Sequence, residues 1–140
     1  MGGNKKTMGA RSELARLASL WRNRAGKTLL LQAFEQRAEQ DDLDPVDRAC
    51  ARVQVGHIGR IIEEIDRELE VAPAIAEAVA GFNPEAGRLF EARYVDGMTT
   101  EAASAALGIS VSKCQKLHAA ASRWLDDSGQ LARILYESAA

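Results

Sequence analysis

A chain of 140 residues has room for one compact domain or two small helical pieces, and 46% hydrophobic against 27% charged residues is an ordinary globular balance, for which disorder is not the default reading. Aromatic residues make up 5% while Ala and Leu abound, which favours helices packed through small and aliphatic side chains over a β-sandwich rich in Val, Ile, Tyr and Thr. The formal net charge of −2 excludes a uniformly basic surface, so any nucleic-acid footprint is local.

Residues 1–8 are rich in Gly and Lys and read as a frayed end. From Ala10 the positions Leu14, Leu17, Trp21, Thr28, Leu31, Phe34 and Ala38 fall on one helical stripe, predicting a first long helix to about Gln40, with Gly26 as its weak point. Asp41-Asp42-Leu43 is a turn. Asp44-Pro45 starts a second helix, because Asp caps free amides and Pro stands where no amide hydrogen is needed. This helix carries Val46, Cys50, Val53 and His57 and, after a shift of one residue, Ile58, Ile62, Ile65 and Leu69. Two long helices joined by a short turn predict an antiparallel hairpin over residues 1–80, and its stripes predict a homo-oligomer, most simply a dimer. Pro73 opens a short Ala-rich helix that Gly81 is expected to end. Residues 1–34 sum to +6, residues 35–70 to −6 and residues 83–125 to +1, so an acidic middle separates a basic head from a nearly neutral tail.

Asn83-Pro84 repeats the cap-plus-proline start, and three helices follow over residues 83–126, with residues 127–140 as a short C-terminal helix or tail. The first is expected from Pro84 to about Val95, burying Leu89, Phe90 and Tyr94 or a subset, and stopping at Asp96-Gly97. Thr99 caps a second, short helix to Leu107, with Ala103, Ala106 and Leu107 inward and Ser104 small at a close crossing. Gly108 makes the turn, Ile109 plugs it, and Ser110 caps a third helix to Leu125. Cys114, Leu117, Ala121 and Trp124 or Leu125 are its inner stripe, with Leu117 as the anchor. Small residue, glycine turn, apolar plug, serine cap and apolar stripe together describe a helix-turn-helix, and the whole chain reads as all-α. The outward positions Ser112, Lys113, Gln115 and Lys116, with the cap Ser110, then face double-stranded DNA, lysines toward phosphates or guanine and Gln115 toward adenine, while Thr99 and Thr100 offer free amides to a phosphate.

The segment RLFEARYVDGMTTEAASAALGISVSKCQKLHAAASRWL resembles the fourth region of bacterial sigma factors. It is more similar still to the C-terminal domain of small phage transcription regulators of the ArpU and RinA kind, matching at Arg93, Tyr94, Gly97, Thr99, Glu101, Ser110, Leu117, His118 and Ala121. It departs at Ala92, Ala102, Ser104, Cys114 and Ser122, mostly by small residues in place of large ones. The resemblance covers about forty residues and implies a phage or prophage transcription regulator. Two other readings combine the same parts: a small terminase-like DNA-packaging subunit, and a sigma-like module that binds RNA polymerase or another protein without reading DNA.

Other features read as structural. Gly26-Lys27-Thr28 lacks the earlier glycine and the preceding strand of a phosphate loop. Cys50 with His57, and Cys114 with His118, show no zinc spacing, so both cysteines are expected as small core residues and His118 as a packing or hydrogen-bonding group. Glu63, Glu64, Asp66, Glu68 and Glu70 read as a solvated face, and Lys5, Lys6 and Arg11 as either a DNA-contacting arm or a soluble tail. No catalytic residue, metal or cofactor is expected. The longest apolar run near the N-terminus, Leu29-Leu30-Leu31, is too short for a membrane span or a secretory leader, so the expected location is cytoplasmic.

Overall fold

The structure is a computed structural model that describes residues 9–139, and all regular structure among them is helical. Helices run in the order α1 (Ala10–Ala38), α2 (Pro45–Glu68), α3 (Ala72–Phe82), α4 (Pro84–Phe90), α5 (Thr100–Leu107), α6 (Val111–Ser128) and α7 (Gln130–Ala139). A 3-10 turn, Leu69–Val71, leads into α3, and a π-helical segment, Glu91–Val95, continues α4. No helix among the described residues is long and apolar enough to cross a membrane. Lys5 and Lys6 lie outside the described residues.

The chain divides into two compact units, and the division is not at residue 80. Leu20–Glu68 form one, and the described residues up to Ser19 join those from Leu69 onward in the other. The expected first stripe is shared out accordingly. Leu14 and Leu17 are buried in the unit that holds the C-terminal helices, while Trp21, Thr28, Leu31, Phe34 and Ala38 are half-buried along the rest of α1.

In the Leu20–Glu68 unit, Asp44 accepts a hydrogen bond from the Val46 amide at 2.8 Å and starts α2 as its sequence predicts. Arg24 donates to both carboxylate oxygens of Asp66, at 2.6 and 3.3 Å. The predicted shift of stripe within α2 does not occur. Ala51, Ile58 and Ile65, spaced by seven, are buried, whereas Val46, Cys50, Val53 and His57 are exposed. An unbroken helix keeps a single phase, and the isoleucine seam extended backward at spacings of three and four passes through Val55 and Ala51. Cys50 is therefore a surface residue, and only Cys114 is a core cysteine.

In the other unit, Ala10 opens α1 with its amide on Asp126 Oδ1 at 2.8 Å, which ties the helix start to the end of α6. Glu13 is buried and held by both arms of Arg16, at 3.1 and 2.6 Å. Gly81 does not end α3. The helix runs one residue further, and Asn83 both closes it and starts α4. The Asn83 amide donates to Val79 O, and its side-chain oxygen accepts from the amides of Glu85 and Ala86 at 2.9 and 3.2 Å. The residue before Pro84 is steered to extended backbone, which suits both roles. Ile75, Val79, Leu89, Phe90, Leu125 and Leu131 are among the most deeply buried side chains of this unit. Phe82 stacks on Trp124 with ring centroids 5.0 Å apart, so Leu125, and not Trp124, is the buried end of the α6 stripe.

Candidate functional site

The residues read from the sequence as a DNA-facing set lie on α5, α6 and their caps. Thr99 Oγ1 accepts from the Ala102 amide at 3.1 Å and begins α5. Gly108, at φ 69°, takes the left-handed backbone that ends α5, a conformation that a side chain strains. Ser104 Oγ donates to the Ile109 carbonyl and closes the turn from inside. Ser110 Oγ then accepts from the Lys113 amide at 3.0 Å and begins α6.

Beneath this turn Leu89, Ala92, Ala103 and Cys114 form one buried cluster, with Met98, Leu107, Ile109 and Leu117 packed around it. Leu117 is only half-buried, so it is a flank of the cluster and not its anchor, and Ala106 is exposed where an inward position was expected. Ser112, Lys113, Gln115 and Lys116 are all exposed on α6. Lys113 is also engaged within the protein: its Nζ lies 3.2 Å from Glu85 Oε1 on α4.

A second constellation lies beside this face. The π-helical segment closes with the Asp96 amide donating to Glu91 O at 2.9 Å, and the Met98 amide donates to Ala92 O at the same distance. Its extra residue places Tyr94 against α6. The Tyr94 hydroxyl and His118 Nε2 are 2.6 Å apart, and Phe90 stacks on the imidazole with centroids 5.1 Å apart. Burial, with a further push from Arg93, lowers the His118 pKa to about 4, so at neutral pH the ring is uncharged and shares one hydrogen bond with the Tyr94 hydroxyl through Nε2. Burial likewise raises the Tyr94 pKa. Nδ1 faces Ser122 Oγ at 3.4 Å, and that hydroxyl donates to the His118 carbonyl at 2.7 Å. Arg93 donates to the Met98 carbonyl at 2.7 Å while lying over the Tyr94 ring.

These groups border a groove of about 630 Å³ formed by the first turns of α1, the π-helical segment and α6. Thr100 and Gln115 also line it, which joins two of the sequence-predicted residues to one surface; Thr99, Ser110, Ser112, Lys113 and Lys116 lie outside it. Arg11, Arg93, Arg123 and Tyr94 were not recognised as one site from the sequence, since only the fold brings positions so far apart together. Among the described residues no three His, Cys, Asp or Glu side chains gather as metal ligands. Comparison with known protein families, curated proteins and solved structures finds no match to this chain.

Proposed function

We propose that the chain is a double-stranded-DNA-binding transcription regulator of phage or prophage type, with α5 and α6 as its helix-turn-helix and the start of α6 as the helix that enters the major groove. One observation carries this reading. The capped α5–Gly108–α6 unit buries Ala103 and Cys114 and leaves Ser112, Lys113, Gln115 and Lys116 exposed together at the start of α6. Gln115 supplies base preference, the lysines supply charge, and the N-terminus of α5 at Thr99 and Thr100 supports a phosphate.

Two lysines, one of them shared with Glu85, give a single copy few phosphate contacts. The reading therefore includes self-association through the Leu20–Glu68 unit, where Leu29, Leu30, Val46 and Val53 are exposed. A dimer in sedimentation fits a regulator; a large ring fits a terminase-like packaging subunit.

The deciding experiment titrates wild type and the double variant Lys113→Ala/Lys116→Ala against selected and random duplexes at several salt concentrations. The variant is expected to bind every sequence more weakly and to flatten the salt dependence by a slope of about one per lost phosphate contact. Equal binding by both proteins refutes groove docking. It favours the reading in which the same module contacts RNA polymerase or another protein, a reading that the Lys113–Glu85 pair also supports.

A further inference from the structure

The groove between the first turns of α1 and the flank of α6 has the make-up of a ligand site. Its volume of about 630 Å³ lies inside the range of about 300–1,000 Å³ usual for small-molecule sites. Ala15 and Ala18 on α1 and Ala119 on α6 give it apolar walls, with the buried Leu14 and Leu89 at its floor. The rings of Tyr94 and His118, tilted by 47° to one another and fixed by their mutual hydrogen bond and by Phe90 against the imidazole, give it a preorganised aromatic border.

Its charge is net positive, three guanidinium groups against one carboxylate. Arg11, Arg93 and Arg123 come to it from three different elements. The carboxylate that lines it, Asp126, is already committed to the α1 amide at Ala10. Arg93 is anchored on the Met98 carbonyl and the Tyr94 ring, whereas Arg11 and Arg123 are exposed at the groove and have long side chains to extend over it. Apolar walls with a rigid aromatic surface suit an aromatic body, and guanidinium forks suit a carboxylate or sulfonate.

We propose that this groove binds a small aromatic organic anion, its ring against Tyr94 and His118 and its acidic group between Arg11 and Arg123. The proposal uses none of the residues assigned to DNA, although Thr100 and Gln115 of that set border the same groove.

The test uses the full chain without DNA and anilinonaphthalene sulfonate as the probe, read by its fluorescence and by calorimetry. One probe per chain is expected to bind saturably, with Kd on the order of tens of micromolar. Arg11→Gln/Arg123→Gln is expected to weaken it about tenfold and to remove most of its salt sensitivity. Ala15→Trp on α1 and Ala119→Trp on α6 each fill the groove from opposite sides at exposed positions, and each is expected to abolish binding while leaving the helical signal and cooperative melting intact. Either filling variant suffices if the other fails to fold. Absence of saturable binding in the millimolar range overturns the proposal. So does binding that persists unchanged in the arginine variant and in a folded filling variant.

Discussion

Replacing Gly87 by Ala adds one carbon atom where α4 crosses α3. A Cβ built on Gly87 stands 2.5 Å from both Cα and Cβ of Ala80 and 2.9 Å from its backbone nitrogen. Those are mostly backbone atoms, so no side-chain rotation relieves the contact and the two helices must move apart. Overpacking of a close contact costs about 1–3 kcal/mol, and a backbone obstacle places this site at the upper end. Alanine's helix propensity returns about 1 kcal/mol, which leaves a net loss of about 2 kcal/mol. For a chain of this size that corresponds to a fall in Tm of roughly 6–10 °C. The internal control is Gly81→Ala in the last turn of α3, where an added Cβ meets nothing within 4 Å and the same substitution is expected to stabilise by about 0.5–1 kcal/mol. Thermal and denaturant melts of the two variants beside wild type measure both signs. A Gly87→Ala protein at least as stable as wild type refutes the close crossing of α3 and α4.

Leu89→Ala, at a fully buried position, is expected to cost about 2–5 kcal/mol, and Leu117→Ala, at a half-buried one, about 1–2 kcal/mol; denaturant midpoints rank them, and a reversed order contradicts the assigned inner face of α6. His118 stays neutral in the folded protein down to about pH 4, whereas the unfolded chain takes up the proton near pH 6.5. Stability is therefore full above that upper value and falls as pH drops toward about 4, by about 2–3 kcal/mol more in wild type than in His118→Gln; parallel pH–stability curves for the two proteins remove this assignment. Glu85→Gln releases Lys113 from its carboxylate, so duplex affinity at low salt is expected to rise two- to fivefold (roughly, one exposed ion pair's worth), and a titration showing no gain separates Lys113 from DNA binding.

The local signals were legible wherever one short stretch decides the outcome. Asp44-Pro45, Asn83-Pro84, Thr99, Gly108 and Ser110 act as caps and turns through atoms within four residues of themselves, and each marks a boundary the fold keeps. Choices between competing faces were not legible. Val46, Cys50 and Val53 have proper helical spacing, but a rigid helix presents one phase, and the isoleucine seam decides it. Leu14 and Leu17 continue the stripe of α1 in sequence while packing in another unit, a division that periodicity does not encode. The π-helical turn escaped because one added residue changes no hydrophobic period until the helix is seen to stay continuous. Within the candidate site the exposed set on α6 follows from its spacing, whereas the Tyr94–His118 bond spans 24 residues and has no local signature.

Asn83 leaves the joint between α3 and α4 without slack. Its amide finishes one helix and its side chain begins the next, so the connection contains no residue free of a structural duty. Length variation should consequently divide sharply along the chain. An extra residue between Glu39 and Asp44 falls in a solvent-facing turn, where lengthening a loop adds only a fraction of a kcal/mol. An extra residue beside Asn83 separates the two cap functions and swings Gly87 off its station against Ala80, so the first place can be spliced to a tag or a tether and the second cannot.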